Sequence, residues 1–122
     1  MSATRSLKER IGVDVGARMA IEDAIQWAAA NQVYYLDVQT DHAPNALDSF
    51  DRERIKSVRD ACEQNGIQLG LHTLSGMNTA EISPFVSDAA DQYLRAYIDL
   101  YAKLGARWMV VHGGYHLSLI HI

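Results

Sequence analysis

The sequence lacks most of the features that would place it outside the ordinary globular proteins. Its single cysteine, Cys62, excludes an internal disulfide and suits a reducing compartment. Lysines and arginines number 11 against 15 aspartates and glutamates, and the formal charge of −4 argues against a nucleic-acid surface. No apolar run is long enough to span a bilayer, and none follows the start "MSATRSLKER" as in a signal peptide. We therefore predict a cytoplasmic protein whose partners include neither membrane nor nucleic acid.

Short β-rich segments alternate with longer helical ones along the 122 residues, which is the size of one domain. The predicted strands cover residues 11–15, 33–38, 67–72 and 106–112. Strands separated by single helices lie parallel with right-handed crossovers, so the pattern predicts either an open doubly wound sheet or a (β/α)8 barrel. The segment "VDVGAR" has one glycine where a dinucleotide-binding loop needs three, which favours the barrel.

The boundaries of the second and third helices can be predicted from capping residues. Asp48 or Ser49 is the expected N-cap of the second helix, and Gly66 closes it. Ser83 and Pro84 are expected to begin the third helix, and Gly105 to end it. Apolar periodicity predicts that this third helix buries Ala90, Leu94, Tyr97, Ile98 and Tyr101.

Each predicted strand carries one ionisable residue near its C-terminal end, on the face away from the helices. These residues are Asp14, Asp37, His72 and His112. In a parallel barrel this end gathers the βα loops, and the active site lies there. Aspartate and histidine also occur at strand ends as simple turn caps, but four of them on four successive strands favour a functional site.

The third and fourth strands carry motifs that resemble a known family. "LGLHTLSGMN" places His72 at a strand tip with Asn78 behind it, and "VVHGGYH" places His112 before a Gly-Gly turn. With "VYYLDVQTD" and "IGVDVGARMAIEDAIQWA", these motifs resemble the N-terminal half of a sugar phosphate isomerase/epimerase. That family belongs to the xylose isomerase-like TIM-barrel superfamily, which also contains endonuclease IV-type enzymes. The resemblance covers residues 11–116 and implies an α/β fold: a partial (β/α)8 TIM barrel of four strands with three intervening helices.

The resemblance implies a divalent-metal-dependent isomerase or epimerase acting on a sugar, a sugar phosphate or a related polyol. The metal would be Mn, Zn, Mg or Co. An endonuclease IV-like DNA repair hydrolase and a polyol dehydratase are the alternatives within the superfamily. In the endonuclease branch the histidines matching His72 and His112 bind metal. In the isomerase branch the main ligands come from the fifth to eighth strands, and these two histidines contact substrate or support the metal.

Some of the remaining polar and aromatic residues are assigned to substrate binding, and others are expected only to form turns or pack. The residues that the resemblance assigns to substrate binding are Asp14, Asp37, His72, Asn78, His112 and His116. Asp41 and His42 are expected to form a turn before Pro44. Cys62 is expected in the core, and Trp27 and Trp108 are expected to be packing residues.

The sequence departs from the family in its length, because a TIM barrel typically needs about 250 residues. We expect the catalytic carboxylates to lie beyond this chain, and metal binding and turnover to need the full-length protein. Half a barrel leaves two open sheet edges, so we expect homo-oligomers or aggregation.

We assign residues 1–116 to the N-terminal half of the barrel. Residues 117–122, "LSLIHI", match the translation of a transposon sequencing adapter and are interpreted as a non-native tail.

Overall fold

The fold is a four-stranded parallel sheet with helices on one face, as seen in a computed structural model that describes residues 6–16 and 18–113. The strands are β1 (Val13–Asp14), β2 (Tyr35–Gln39), β3 (Gln68–His72) and β4 (Trp108–Val110). The helices are α1 (Ile21–Asn31), α2 (Arg52–Asn65) and α3 (Pro84–Leu104). The spatial order is β1-β2-β3-β4, and every neighbouring pair is parallel. The predicted alternation of four strands and three helices is confirmed.

The two central strands carry the longest pairing in the sheet. β2 and β3 pair from Tyr35 opposite Gln68 to Gln39 opposite His72. β1 contributes two paired positions, and its Asp14 lies opposite Asp37. β4 contributes three. In the described residues the outer strands are therefore much shorter than the predicted segments, and each has one unpaired edge.

The helix-covered face of the sheet is the hydrophobic core. Leu36 and Val38 of β2 and Leu69 and Leu71 of β3 are all buried. They alternate with residues on the open face because successive side chains of a strand point in opposite directions. Contributions from the helices complete this core: Ile21, Ala24, Ile25, Ala28, Val58, Cys62, Tyr97, Leu100 and Leu104.

Three predicted helix boundaries are confirmed and one is wrong. Helix α3 begins at Pro84 with Ser83 as its N-cap, as predicted. Gly66 and Gly105 end α2 and α3 with φ angles of 65° and 68°, a left-handed conformation that glycine adopts without strain. The N-cap of α2 is Asp51, whose carboxylate accepts the backbone N–H of Arg54 at 2.7 Å. Asp48 and Ser49 lie instead in a short 3-10 turn before the helix. The helix begins later than predicted because the Asp51 carboxylate lies three residues before the Arg54 amide, which has no partner within the helix.

The predicted buried face of α3 is correct at Tyr97 and wrong at Ile98. Ile98 is 52% exposed, whereas Tyr97, Leu100 and Leu104 are buried. These positions follow three- and four-residue steps along one helix face, which lies slightly rotated from the predicted one. Trp27 was expected to pack inside, but it is 43% exposed on α1.

A buried asparagine fixes the start of α1. Asn45, in the loop after β2, accepts the N–H of Ile21 at 2.9 Å and donates to the carbonyl of Met19 at 2.8 Å. It therefore supplies the cap that Ala20 cannot.

Helices α1 and α2 are linked by a bidentate ion pair between Arg54 of α2 and Glu22 of α1. None of the helices in the described ranges is long and apolar enough to cross a membrane.

Candidate functional site

Four ionisable residues lie on the open face of the sheet, three at or just beyond the C-terminal ends of their strands and Asp37 in the middle of β2. Asp14 is the last residue of β1 and lies in register with Asp37. His72 is the last residue of β3, and His112 follows β4 by two residues. Because all four strands run in the same direction, these ends meet at one edge of the sheet. The fold thus brings together the residues that the sequence places on four separate segments.

Three of these residues and a tryptophan form a continuous chain of contacts. Trp108 donates its indole N–H to Asp37 Oδ1 at 3.1 Å. The other carboxylate oxygen, Oδ2, lies 2.8 Å from His72 Nδ1. His72 Nε2 lies 2.9 Å from His112 Nε2, and the two imidazoles stack with centroids 5.1 Å apart and planes inclined by 27°. The His72 and Asp37 side chains keep only 22% and 18% exposure.

The chemistry of the carboxylate determines where His72 carries its proton. An ionised Asp37 can only accept hydrogen bonds, so His72 Nδ1 holds the proton. The lone pair of a neutral His72 is then on Nε2, and it faces His112. Either His112 donates its Nε2–H to that lone pair, or both nitrogens turn their lone pairs to a shared cation. This is the arrangement in which a carboxylate orients a metal-binding histidine.

A glycine makes room for the tryptophan that begins this chain. Gly70 pairs with Trp108 across β3 and β4. A Cβ atom at position 70 would lie 2.0 Å from the indole ring, which no structure tolerates. The ring of Tyr35 on β2 lies beside the indole, with centroids 6.2 Å apart and planes inclined by 49°. Trp108 thus extends over Gly70, and its indole nitrogen reaches Asp37.

The donor atoms fit a divalent metal ion in two overlapping groupings. Asp14, Asp37 and His72 offer ligand atoms that lie within 4.8 Å of one another. The second grouping is His72 Nε2 with His112 Nε2, whose 2.9 Å separation would widen to roughly 3.3 Å if both nitrogens bound one tetrahedral ion. The groupings compete for Asp37, which either binds the ion or orients His72. Carboxylate oxygen together with imidazole nitrogen suits Mn, Zn or Co.

Three other residues singled out in the sequence, Asn78, Asp41 and His42, lie in the loops after β3 and β2. Asn78 is in the loop after β3, where its Oδ1 accepts the N–H of Ala80 at 3.1 Å. Asp41 does more than form a turn, because its Oδ1 accepts the hydroxyl of Tyr93 at 2.6 Å. His42 is exposed. His116 and the segment 117–122 lie outside the described residues, so their assignments stay predictions.

Cys62 is a core residue, as expected. It is 9% exposed, and desolvation raises the pKa of its thiol to about 11. The thiol is therefore neutral at physiological pH and is no nucleophile. A cavity of about 690 Å³ lies nearby at the opposite end of the sheet, against α2 and the start of β3. None of the strand-end residues lines that cavity.

Sequence reasoning missed three aromatic residues at the site. Trp108 was expected only to pack, but it also holds Asp37. Tyr93 and Tyr97 of α3 contact the loops after β2 and β3 through their hydroxyls. Burial raises the pKa of both tyrosines, and the hydrogen bond to Asp41 raises that of Tyr93 further. Aromatic residues at helical spacing indicate core packing, and nothing in that pattern marks a hydroxyl that reaches a strand end.

Comparison with known proteins identifies the fold. No family model and no curated protein matches the sequence. Among solved structures, D-psicose 3-epimerase in the presence of D-fructose matches with a TM-score of 0.68 at 15% identity. D-Psicose 3-epimerase with D-tagatose from Clostridium cellulolyticum H10 matches with a TM-score of 0.69 at 14% identity. The fold matches part of a TIM barrel. The matches cover 80% of this chain and 35% of each epimerase, so the chain spans about a third of the length of these structures.

Proposed function

We propose that this chain forms part of a divalent-metal-dependent isomerase or epimerase that acts on a sugar, a sugar phosphate or a related polyol. The observation that carries the proposal is the chain of contacts from Asp37 through His72 to His112 at the strand ends. In a TIM barrel this is the end where chemistry takes place. The likeness to two sugar-bound epimerases supports the same class of substrate.

The residues of this chain supply orientation and hydrogen bonding to such a reaction. A bound divalent ion would hold neighbouring substrate oxygens and polarise a carbonyl. Asp37 keeps the His72 proton on Nδ1 and leaves Nε2 for the ion or for a substrate hydroxyl. Asp14 is exposed at the tip of β1, and its carboxylate can accept a hydrogen bond from a sugar hydroxyl. His112 provides the second nitrogen.

The proposed activity belongs to a complete barrel. The chain spans 35% of the length of the epimerases it resembles. An isomerase also needs a base positioned over the substrate carbon, and general-base catalysis depends on that geometry. We therefore expect no turnover from these 122 residues by themselves. D-Fructose and D-tagatose, the sugars in the similar structures, are the first substrates to test.

The close approach of two histidine Nε2 atoms also supports a second candidate, an endonuclease IV-like DNA repair hydrolase. In that branch the matching histidines bind the metal. The net charge of −4 opposes it, because DNA binding depends on phosphate neutralisation by lysine and arginine.

Although the sequence led us to expect metal binding only in the full-length protein, Asp14, Asp37 and His72 offer ligand atoms within 4.8 Å of one another in this chain, so metal binding by the chain itself is the first test. We expect about one Co²⁺ per chain with the absorption of a histidine-ligated ion, and loss of that signal in His72→Ala and His112→Ala. His42→Ala, an exposed histidine in the loop after β2, is the matched control and keeps the signal. Absence of binding, or binding that survives both substitutions, would contradict a metal centre at the strand ends.

Turnover is tested by grafting residues 11–113 onto the remaining strands of a D-psicose 3-epimerase. We expect metal-dependent interconversion of D-fructose and D-psicose that is abolished by His72→Ala and kept in His42→Ala. Because the host supplies the other strands, only the histidine variants show what this chain contributes. Cleavage of abasic-site DNA without sugar conversion would favour the hydrolase instead.

A further inference from the structure

The hydrogen bonds between β2 and β3 follow a regular parallel ladder up to the site. Gln68 donates its N–H to the carbonyl of Tyr34 at 2.7 Å. In a parallel pair, every second residue of one strand bonds the other strand through both its N–H and its C=O. The residues of β3 that face β2 are therefore Gln68, Gly70 and His72. On this pattern the His72 carbonyl is the regular acceptor for the N–H of Thr40.

Tyr97 occupies the position of that last rung. Its hydroxyl accepts the N–H of Thr40 at 3.2 Å and donates to the carbonyl of His72 at 3.2 Å. Two contacts through one oxygen replace a direct bond of about 2.9 Å. The Tyr97 side chain, which α3 carries, is fully buried. The residue whose carbonyl it contacts, His72, also carries the ring that contacts Asp37.

A second tyrosine repeats the arrangement one helical turn earlier. Tyr93 accepts the N–H of Leu74 at 2.8 Å and donates to Asp41 at 2.6 Å. Its ring packs on Tyr97 with centroids 4.8 Å apart. Helix α3 thus contacts the segments after β2 and β3 through two neighbouring hydroxyls. Both link the strand that carries Asp37 to the strand that carries His72.

We propose that Tyr97 is a positioning residue that determines the orientation of the His72 imidazole. By standing between Thr40 and His72, its hydroxyl fixes the backbone separation of β2 and β3 at the point where the His72 ring meets Asp37 and His112. Without the hydroxyl, the Thr40 N–H and the His72 carbonyl lose their shared partner, so the two strand ends relax and the His72 ring moves. The consequence for metal affinity rests on the proposed function, whereas the strand geometry does not.

The test uses the 122-residue chain with Tyr97→Phe and, as matched control, Tyr101→Phe, one turn further along the same helix. NMR detects the rung directly, because a scalar coupling between Thr40 N and the His72 carbonyl carbon requires a direct hydrogen bond. We expect no such coupling in the unmodified chain. In Tyr97→Phe we expect shifted Thr40 amide and His72 ring resonances, and Co²⁺ affinity about tenfold weaker, as for other residues that orient metal ligands. Tyr101→Phe should change none of these.

Two results would overturn the proposal. One is a direct Thr40–His72 coupling in the unmodified chain, which needs no variant and holds even if Tyr97→Phe fails to fold. The other is a Tyr97→Phe chain whose His72 resonances and Co²⁺ affinity match those of the unmodified chain despite lower thermal stability, as for a merely structural tyrosine. If the unmodified chain binds no Co²⁺, the proposed function fails, but the coupling and the His72 resonances still decide the role of Tyr97.

Discussion

The two faces of the sheet use the same strands for different purposes. On the helix-covered face, Leu36, Val38, Leu69 and Leu71 are buried in one continuous apolar core. On the open face, the intervening positions hold polar residues and aromatic rings connected by a few directed contacts. The first face is stabilised mainly by the burial of apolar surface, which does not depend on the direction of any single bond. The open face depends on hydrogen bonds between individual atoms, so small changes there should affect ligand binding more than stability.

The largest expected effect comes from the helix-covered face. Replacing the fully buried Leu71 by alanine should lower the free energy of unfolding by about 2–5 kcal/mol, because the substitution removes buried apolar surface and leaves a cavity. Urea denaturation measures the loss. Gln68→Ala removes a side chain from the open face of the same strand and should change stability by less than about 1 kcal/mol. Equal losses in the two variants would refute the division between the faces.

The next prediction tests whether the open face is closely packed where Gly70 contacts Trp108. Gly70→Ala forces the indole of Trp108 away and should destabilise the chain by about 1–3 kcal/mol. It should also break the hydrogen bond between Trp108 and Asp37, which shifts the indole N–H resonance. Gly76→Ala, where an added Cβ meets nothing within 4 Å, is the control. An unchanged indole resonance in Gly70→Ala would show that the ring does not lie against β3.

Substitution of Asp37 should have a smaller effect on stability but a large effect on Co²⁺ affinity. Asp37→Asn removes the charged acceptor for His72 Nδ1 and should change the free energy of unfolding by less than about 1 kcal/mol. Co²⁺ affinity should fall by about tenfold or more, since the imidazole loses the carboxylate that orients it. Asp48→Asn, at an exposed aspartate, should leave the affinity unchanged. An Asp37→Asn chain that binds as tightly as the original would exclude Asp37 from the site.

The smallest effect concerns the helix layer, where one ion pair links α1 and α2. The hydrogen bond from Arg54 lowers the pKa of Glu22 below its ordinary value of 4.5. The pair therefore stabilises the fold fully above about that pH, and the contribution disappears as pH falls through the lower pKa of the folded state. Because the Glu22 side chain is 39% exposed, Glu22→Gln should cost about 0.5 kcal/mol at pH 7.

The pH dependence distinguishes this ion pair from simple packing. The difference in stability between Glu22→Gln and the unmodified chain should shrink as the pH falls below about 4.5, the ordinary pKa of the carboxyl. Glu53→Gln, at an exposed residue of the first turn of α2, should show no comparable dependence. A difference that stays constant between pH 7 and pH 3 would mean that Glu22 contributes through packing.

The sequence by itself determined the order of the elements and the two faces of the sheet. Period-two alternation placed Asp14, Asp37, His72 and His112 on one face, and parallel connections brought their strand ends to one edge. Gly66 and Gly105 marked helix ends because glycine adopts the left-handed cap conformation without strain. These features depend on residues close in sequence or on a repeat, so they can be predicted without knowledge of distant contacts.

Only the tertiary structure decided which atoms meet. The contact of Trp108 with Asp37 requires the missing side chain of Gly70, on a different strand. The rung through Tyr97 joins residues that are 57 and 25 positions away along the chain. The same is true of Asn45, which caps a helix that begins 24 residues earlier. Hydrogen bonds act over about 3 Å with strict angles, and sequence spacing carries no such precision about residues brought together by folding.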